Sequence, residues 1–551
     1  MTVGPFDRGT SLAALADETF DVLVIGGGIT GAGVALDAAS RGLRTALVEK
    51  GDFASGTSSK SSKMVHGGLR YLQQGDVRLV YEALRERQRL LRNAPHLVGV
   101  LPFLIPMFGK DGVIHPKLAR ALGSAMWMYD LTGGARIGKL HKRISAEETM
   151  AHMPTLPPGR VAASYLYYDA RADDARLTMT IARTAAVRHG AVCVNHAPVV
   201  ELLRRGVHVT GAVVEAHGRR IEVRAKQVVN ATGVWADEVR TLDEGRDPDT
   251  IRPAKGIHLT VPWSLVRNDI AVVAPVPKDK RSVFVVPWPA APGHDPEFTY
   301  IGTTDTDYDG PLDDPQCTPD DIAYLLRAIN HSTTTTITEA DVVGTWAGLR
   351  PLVKPTADSS GRTADLSRQH SVTASTSGMI TVTGGKLTTY REMAADTVDA
   401  IAERLDLPRA QRKSRTKKLR LLGTEGFDAD ATGRAGHLHR RFGGETRLLE
   451  AMIERDAALG EPLVPGLPYL RAEALYAARY EMAATLDDVL SRRTRSLLLA
   501  RDAAAAVADD VADLVGDELG WDEATRKREV DSFRAKATQE RDPLELVDLP
   551  D

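Results

Sequence analysis

The first fifty residues alternate between short apolar runs and a stretch of helical character. Residues 21–25 form a short apolar run of the kind found in buried parallel strands. Helix formers occupy residues 29–41, and Gly42 provides a stop signal. A second apolar run covers residues 44–48 and ends at Glu49. The pattern predicts a strand, a glycine turn, a helix and a second strand that ends in an acid.

Further along the chain the periodicity changes several times. Residues 76–92 have the pattern of a charged amphipathic helix, whose arginines we expect on the solvent side. From residue 191 the pattern is typical of short strands joined by polar turns, and it is β-rich again between 257 and 304. Residues 226–239 and 378–405 each predict a strand, a turn of small residues and a helix. The apolar side of the 76–92 helix carries Leu79, Val80, Leu84, Leu90 and Leu91.

The C-terminal part of the chain has a different composition. A basic linker follows residue 406, and residues 420–540 carry Ala, Leu, Arg and Glu at helical spacing. We therefore predict a mostly helical domain, with 492–515 as one strong helix and a poorly ordered acidic tail at 541–551. Strands suited to a cofactor occur early, in the middle and late, which predicts a discontinuous fold.

Composition limits the function classes. The 551 residues are enough for two or three domains of about 100–200 residues each. Hydrophobic content of 43% and charged content of 26% are ordinary for a globular protein, and a net charge of −3 gives no support to nucleic-acid binding. Only two cysteines occur, Cys193 and Cys317, which excludes a disulfide framework and fits a reducing cytosol. We expect Cys193 in the core.

The most apolar run, residues 97–109, is too short for a membrane span, which needs about 20 apolar residues. Pro102 and Pro106 also interrupt it. No signal peptide is visible in residues 1–19. We expect the run to be core; the alternative is a surface that touches a membrane, with 97–128 as the candidate segment.

The first turn carries a nucleotide-binding fingerprint. Gly26, Gly28 and Gly31 form G-x-G-x-x-G between the predicted strand and helix. Gly26 permits the tight turn, Gly28 lets a pyrophosphate approach the backbone, and Gly31 lets helix and strand pack closely. The helix N-terminus offers N–H groups and a positive dipole end to the phosphates. Glu49 lies where a carboxylate binds a ribose, which argues against NADP but does not separate FAD from NAD.

Three more segments combine glycine or small residues with polar ones. Residues 55–76 (SGTSSKSSKMVHGGLRYLQQGD) are rich in hydroxyl groups and cations. Residues 230–237 (NATGVWAD) contain small residues that let the backbone run beside a nucleotide. Residues 381–394 (TVTGGKLTTYREMA) form another strand-to-helix junction, whose helix N-terminus is suited to negative charge on a flavin.

With these segments, the chain resembles the FAD-dependent glycerol-3-phosphate dehydrogenases. KGIHLTV at 255–261 and TWAGLRPLV at 345–353 match that family as well, and the resemblance covers most of residues 18–530. The combination of SSKSSKMVHGGLRYL with TGGKLTTYR is specific, whereas generic amine oxidases share only the nucleotide fingerprint. The family belongs to the wider glutathione-reductase-like flavoproteins.

The resemblance implies an α/β fold. It is a glutathione-reductase-like, FAD-binding Rossmann fold with an inserted mixed β-sheet substrate domain and a helical C-terminal domain. The FAD-binding domain, 18–405, is expected to be discontinuous, and the helical domain covers 406–540 before the tail at 541–551. The FAD-binding segments are 18–75, 165–255 and 340–405, and the substrate-binding segments are 76–164 and 256–339.

The family also implies a reaction. sn-Glycerol 3-phosphate is oxidised at C2 to dihydroxyacetone phosphate, with a hydride passing to flavin N5 and the hydroxyl proton to a base. The reduced flavin passes its electrons to a membrane quinone. The expected location is cytoplasmic, with peripheral contact on the inner face of the cytoplasmic membrane. The expected assembly is a homodimer, and no nucleic acid is expected as a partner.

The family motifs imply which residues bind the substrate, whose phosphate needs convergent cations. Arg70 and Tyr71 of GGLRYL are the expected phosphate ligands. Arg368 is a looser match, because the loop before it is longer than usual. Arg350 of AGLRPL is expected near the substrate hydroxyls, and Lys386 of TGGKLT near both flavin and substrate.

Two histidines are candidates for the base. An ordinary histidine pKa of about 6.5 leaves the ring mostly neutral and able to take a proton at pH 7. His258 of KGIH is the preferred candidate, and His66 of VHGG is the rival, expected closer to the flavin. Arg350 and Lys386 complete the catalytic set, with Lys386 stabilising negative charge on flavin or substrate.

The expected FAD contacts come from the fingerprint, the hydroxyl-rich segment, the ATG turn, the late glycine turn and a strand that passes the adenine. No metal-ligand spacing appears, so no metal is expected. The expected FAD contacts are Gly26, Gly28, Ile29, Thr30, Gly31, Glu49, Lys50, Ser58, Ser59, Ser61, Val199, Thr232, Gly233, Gly385, Lys386 and Leu387.

Four functions remain open on the sequence alone. The first is the quinone-linked dehydrogenase. The second keeps the same substrate but uses O₂ and makes hydrogen peroxide. The third is an amine or amino-acid oxidase, disfavoured by the several cations because one arginine can bind a carboxylate. The fourth is a flavoprotein-like binding module without catalysis.

Overall fold

The computed structural model describes residues 7–68, 77–108, 126–127, 129–130, 138–277, 279, 281–288, 296–354 and 370–547. The strands, in chain order, are β1 Thr19–Ile25, β2 Thr45–Val48, β3 Met64–Val65, β4 Val98–Phe108, β5 Lys142–Ser145, β6 Val161–Ala172, β7 Val192–Val194, β8 Val199–Arg205, β9 His208–Ala216, β10 Arg219–Asn230, β11 Ile251–Pro262, β12 Ala271–Pro275, β13 Ser282–Trp288, β14 Phe298–Gly302, β15 Thr306–Asp307, β16 Gly344–Val353, β17 His370–Ala374 and β18 Ile380–Gly384.

The α-helices are α1 Arg8–Asp17, α2 Ile29–Ser40, α3 Val77–Asn93, α4 Ala146–His152, α5 Asp174–His189, α6 Ala236–Glu244, α7 Pro319–Ser332, α8 Tyr390–Arg404, α9 Gly433–Phe442, α10 Thr446–Arg455, α11 Arg471–Tyr480, α12 Ser496–Leu499, α13 Arg501–Ala506, α14 Ala508–Leu519 and α15 Glu523–Glu545. No helix within the described ranges is long and apolar enough to cross a membrane.

The predicted strand–helix–strand unit lies at the centre of an eight-stranded sheet. Its strand order is β17-β18-β10-β1-β2-β7, and β8 and β9 extend it from β10. β1 runs parallel to both β2 and β10, as expected for strands joined by crossover connections. Val22 and Val24 of β1 pack towards α2, α5 and α8, whereas Leu23 and Ile25 pack towards the other face. The α/β fold class is therefore confirmed.

A second sheet has ten strands and carries the other half of the site. Its order is β15-β11-β14-β13-β12-β4-β6-β3, with β16 paired to β11 and β5 to β6. The apolar run at 97–109 supplies β4, which pairs with β6 on one side and β12 on the other. Most of β4 is buried, so the expectation of core is confirmed for this part of the run.

Two expectations about helices are wrong. The predicted single helix at 492–515 is interrupted, because a π-helical segment Asp488–Arg493 is followed by three separate helices, α12 to α14. Arg495 has a φ of +59° at the first break, which an α-helix does not tolerate. The 541–551 tail begins inside α15, where Leu544 is buried, so its first five residues are helical rather than poorly ordered.

The arginines of α3 also differ from expectation. Arg87 and Arg89 are buried instead of solvated. Arg87 pairs with Asp169 of β6 at 2.5 Å, and Arg89 pairs with Glu392 of α8 at 2.7 Å. The partners lie far away in sequence, which is why the helical pattern alone points the arginines to solvent.

Arg495 links the C-terminal helices to the cofactor-binding sheet. Its guanidinium pairs with Asp173 at 2.7 Å and also with Asp174, and both acids start α5. Its Nη1 donates to the carbonyl oxygen of Ser59 at 3.2 Å. Arg495 and Asp174 are fully buried, so this link is shielded from water.

Replacing Arg495 with alanine should lower the free energy of unfolding by about 3–5 kcal/mol, because buried acids then lose their partner charge. Arg526→Ala is the control, since Arg526 pairs with the exposed Asp513 and Asp517 and should change stability by less than about 0.5 kcal/mol. Chemical denaturation of both variants beside the wild type measures the difference. Equal losses in the two variants would contradict a stabilising buried link.

Candidate active site

The first cavity, of about 420 Å³, lies at the carboxyl ends of four neighbouring strands. Ile25 ends β1, Val48 ends β2, Gly384 ends β18, and Ala231 follows β10. The same edge carries the N-terminus of α2, which begins at Ile29 with Gly28 as its N-cap. This is the place where parallel α/β sheets bind nucleotides.

At each of the three fingerprint glycines an added Cβ would be crowded by neighbouring atoms. A Cβ on Gly26 would lie 2.7 Å from the Ala231 carbonyl oxygen, and its φ is +108°. A Cβ on Gly31 would lie 1.8 Å from the Gly26 carbonyl oxygen, so only glycine allows this helix-to-strand contact. A Cβ on Gly28 would lie 3.2 Å from Ser58 Oγ. The geometry therefore fits the expected dinucleotide cradle.

Glu49 lies at the end of β2 and faces the first cavity. Its Oε2 accepts a hydrogen bond from the Gly27 N–H at 2.6 Å, and its Oε1 accepts one from the Gly51 N–H at 2.8 Å. Burial raises the pKa of this carboxyl, and the two backbone donors oppose that shift. The backbone thus holds a carboxylate in the position expected for ribose binding.

Most of the expected FAD contacts line this cavity. Gly31 and Ser59 do not. Gly31 packs against Gly26, and the carbonyl oxygen of Ser59 accepts hydrogen bonds from Lys63 and Arg495. The residues that do line it are Gly26, Gly28, Ile29, Thr30, Glu49, Lys50, Ser58, Ser61, Val199, Thr232, Gly233, Gly385, Lys386 and Leu387.

A second cavity, of about 320 Å³, opens beside the first and reaches the ten-stranded sheet. Four residues line both cavities: Thr57, Ser61, Lys386 and Leu387. The two cavities therefore meet at the hydroxyl-rich segment and the late glycine turn, which belong to different parts of the chain.

His258 of β11 lines the second cavity but is almost fully buried. Its Nε2 lies 2.9 Å from Ser62 Oγ, and its ring stacks on Trp346 with centroids 4.6 Å apart. Burial, followed by the charges of Lys63 and Arg350, lowers the pKa of His258 well below its usual value. The ring is therefore neutral at pH 7.

His66, the rival base, also lines the second cavity and is half-buried. Its backbone N–H donates to Thr388 Oγ1 at 3.2 Å, next to the late glycine turn. The two candidate histidines thus border the same cavity, with His66 on the side of the turn that also lines the first cavity.

The second cavity contains several cations held by acids. Arg350 Nη1 donates to Asp305 Oδ1 at 3.1 Å, and Arg281 Nη1 donates to the Asp305 carbonyl oxygen at 3.0 Å. Lys60 pairs with Asp314 at 2.9 Å. Four cationic and two acidic residues line the cavity, which is therefore suited to a small anionic ligand. Arg70, Tyr71 and Arg368, the expected phosphate ligands, lie outside the described residues.

Asp174 fixes the hydroxyl-rich segment from behind. Its Oδ2 accepts from the Ser61 N–H at 3.0 Å and from Ser61 Oγ at 2.7 Å, and its Oδ1 accepts from Lys63 Nζ at 3.2 Å. Burial lowers the pKa of Lys63 to about 8, although Asp174 opposes the shift. Lys63 Nζ also lies 4.6 Å from the centre of the Trp346 ring that stacks on His258.

Sequence reasoning missed several residues that line the two cavities or contact His258. Ser62 and Trp346 contact His258. Both lie inside segments that the motifs had singled out, but neither was named as a site residue. Trp235, in NATGVWAD, lines the first cavity with Lys50 Nζ 4.3 Å from its ring centre. Arg281 had no sequence signal, because its place depends on the fold of the second sheet.

Within the described ranges, one group of acid and histidine side chains has the spacing of a metal site: Asp52, His196 and Asp488. Asp52 accepts from Arg492 and Arg493, and Asp488 accepts from Arg492. Arginine guanidinium groups take up these carboxylates, so the group is a buried ion-pair network.

Comparisons with known proteins agree with this geometry. The family model for FAD dependent oxidoreductases matches residues 21–391, and the model for the C-terminal domain of alpha-glycerophosphate oxidase matches residues 414–526. Glycerol-3-phosphate dehydrogenase 2 of Mycobacterium tuberculosis is 41% identical over 554 residues, which cover 98% of this chain and 91% of that protein.

Two solved structures are similar. The glycerol-3-phosphate dehydrogenase from Bacillus halodurans complexed with FAD superposes with a TM-score of 0.76 at 30% identity, covering 98% of both chains. The L-alpha-glycerophosphate oxidase from Mycoplasma pneumoniae with FAD bound has a TM-score of 0.54 at 18% identity. It covers 70% of this chain and 95% of its own, and it shows the shared fold alone.

Replacing Gly28 with alanine should weaken FAD binding by about tenfold or more, or ~1.4 kcal/mol, because the new methyl group crowds Ser58 Oγ at the helix N-terminus that is expected to bind the pyrophosphate. The backbone of Gly28 has a φ of −73°, which alanine adopts freely, so the fold should persist. Gly99→Ala is the control, since no atom of the described residues lies within 4 Å of its added Cβ. Flavin absorbance after purification measures retention, and full retention in Gly28→Ala would contradict the assignment.

Proposed function

Because the chain belongs to the family of FAD-dependent glycerol-3-phosphate dehydrogenases, we propose that it oxidises sn-glycerol 3-phosphate at C2 to dihydroxyacetone phosphate. The observation that carries this proposal is the junction of two cavities at Lys386 and Leu387. One cavity suits a dinucleotide, and the other contains cations and a neutral histidine. A cofactor and a small anionic alcohol can therefore meet across a shared wall.

The residues of the first cavity would hold FAD. The N-terminus of α2 suits the pyrophosphate, Glu49 suits the ribose, and the chain at Thr232 and Gly233 lets a nucleotide lie against the backbone. When bound, FAD supplies a two-electron acceptor for the hydride that leaves C2. Lys386, which borders both cavities, stabilises negative charge at their junction.

Cationic side chains bind the phosphate of the substrate in this proposal. Arg70, Tyr71 and Arg368 are its direct ligands, as the family motifs imply. Arg350 binds the substrate hydroxyls, and its contact with Asp305 supports a fixed orientation of the planar guanidinium. Arg281, which shares Asp305, adds positive charge to the same cavity.

His258 is the proposed base that takes the C2 hydroxyl proton. Its neutral state at pH 7 and its place in the wall of the second cavity, which His66 shares, support this role. Its stacking on Trp346 and its contact with Ser62 keep the ring in one orientation, so no reorganisation is needed when the proton moves.

The alternatives differ in acceptor or substrate. O₂ is the alternative acceptor, and the family match to the C-terminal domain of an alpha-glycerophosphate oxidase supports it. An amine or amino-acid oxidase is disfavoured by the number of cations around the second cavity. A binding module without catalysis is disfavoured because the candidate base and cations share one cavity.

A membrane quinone is the proposed electron acceptor. The proposed location of the protein is the cytoplasm, where it contacts the inner face of the cytoplasmic membrane peripherally. Exposed Trp127 and Leu140 beside Lys142 and Arg143 support such a contact, because apolar and basic groups together favour a lipid interface. We also propose that the protein is a homodimer. The proposed division into FAD-binding, substrate-binding and helical domains has the boundaries given above.

Anaerobic addition of sn-glycerol 3-phosphate should bleach the flavin absorbance of the FAD-loaded protein and form one dihydroxyacetone phosphate per flavin. Glycerol without phosphate should leave the absorbance unchanged, because the cationic cavity then has no anion to bind. Bleaching by glycine would point instead to an amine oxidase. If neither sn-glycerol 3-phosphate nor glycine bleaches the flavin, catalysis is contradicted. Rapid peroxide formation in air-saturated buffer would identify O₂ as the acceptor.

Replacing His258 with glutamine should lower kcat by about 10²–10⁴-fold, because the proton acceptor is lost. His66→Gln is the matched variant and should retain most of the activity. Because the pKa of His258 lies well below 6.5, wild-type kcat/KM should show no loss from this group between pH 8 and 6.5. Activity should fall only as acid protonates the ring. A large loss in His66→Gln alone would contradict the choice of base.

A further inference from the structure

We propose that Ser62 relays the substrate proton to His258, so that a serine–histidine pair, rather than the histidine alone, acts on the C2 hydroxyl. This inference rests on the proposed function and assigns a catalytic role to a residue outside the family motifs' expected set. It follows from the accessibility of the two ring nitrogens of His258.

His258 borders the second cavity, but it is only 2% exposed. Nδ1 is buried and has no hydrogen-bond partner among the described residues. Nε2 is covered by Ser62 Oγ at 2.9 Å. The ring faces Gly302, where a Cβ would come within 2.2 Å of Cδ2, and it stacks on Trp346. In the proposal, a substrate hydroxyl acts on the ring through Ser62, whose hydroxyl occupies Nε2 and lines the same cavity.

Ser62 has the position that a relay needs. It is half-buried and lines the second cavity, whereas His258 is 2% exposed. Its backbone is held on both sides, because its carbonyl oxygen accepts from Tyr300 OH at 2.8 Å and Ser61 bonds to Asp174. Only its side-chain hydroxyl is left to rotate between the cavity and the imidazole.

The proton steps balance. The C2 O–H bond breaks and its proton moves to Ser62 Oγ, while the Ser62 O–H bond breaks and that proton moves to Nε2. The electron pair of the C2–H bond leaves with the hydride, whose acceptor is the FAD of the proposed reaction, and the C2 carbonyl forms. His258 ends as an imidazolium, and the positive charges of Lys63 and Arg350 favour the later release of its proton. Nε2 is the bare nitrogen before the reaction, so Nδ1 carries the ring proton.

Three proteins test the relay: Ser62→Ala, Ser62→Thr and the control Ser332→Ala. Ser332 is buried, lines neither cavity, and donates its hydroxyl to the Ala328 carbonyl oxygen within α7. Ser62→Ala should lower kcat by about 10²-fold with KM changed less than about threefold, because the lost group acts on the transition state. Ser62→Thr keeps the hydroxyl and should restore most of kcat, and Ser332→Ala should match the wild type.

Rates in mixtures of H₂O and D₂O supply a readout that a structural role would not change. The wild type should give a curved dependence of kcat on deuterium fraction, because two protons move together, and Ser62→Ala should give a straight one. ¹⁵N spectra of histidine-labelled protein, with the His258 signals identified by their loss in His258→Gln, should show a bare Nε2. That signal should shift downfield in Ser62→Ala as the hydrogen bond is lost.

A straight isotope dependence in the wild type, or a Ser62→Ala enzyme with normal kcat, would overturn the relay. If His258→Gln loses activity and Ser62→Ala does not, the base assignment stands and only the relay falls. If His258→Gln is fully active, the proposed base itself is wrong. Failure of sn-glycerol 3-phosphate to bleach the wild-type flavin would instead overturn the proposed function.

Discussion

One buried carboxylate, Asp174, organises the parts of the chain that meet at the two cavities. It accepts hydrogen bonds from Ser61 and Lys63 of the hydroxyl-rich segment and pairs with Arg495 of the C-terminal helices. The contacts with Lys63 and Arg495 are shielded from water, where removing one partner charge costs more than it does at the surface. The hydroxyl-rich segment that borders both cavities is therefore held by residues from α5 and from the C-terminal part of the chain.

A continuous set of contacts leads from this carboxylate to the proposed chemistry. Lys63 lies over the ring of Trp346, Trp346 stacks on His258, and His258 contacts Ser62. Ser61, which Asp174 binds, precedes Ser62 and lines both cavities. His258 lies on β11 of the ten-stranded sheet. Ser62 lies in the hydroxyl-rich segment, which follows β2 of the eight-stranded sheet. The C-terminal helices thus support the site through Arg495, although they do not line the junction of the two cavities.

Local patterns in the sequence predicted the parts of the fold that depend on local physics. The strand, glycine turn and helix of residues 19–40 were predictable, because apolar periodicity and glycine conformation determine them. The break at Arg495 was not, since acids more than 300 positions away hold that residue in a left-handed conformation. The same reason explains Arg87, which a helical pattern assigns to solvent but Asp169 holds inside. The contact between Ser62 and His258 likewise joins two distant segments that no periodicity connects.

The central claim is that the substrate's C2 oxygen meets the serine–histidine pair where the two cavities join. A crystal structure of the FAD-loaded protein with dihydroxyacetone phosphate tests it most directly. The account predicts the C2 oxygen at about 3 Å from Ser62 Oγ, with the phosphate among the cationic side chains of the second cavity. A C2 oxygen bound to His66, with Ser62 turned away from the ligand, would contradict it.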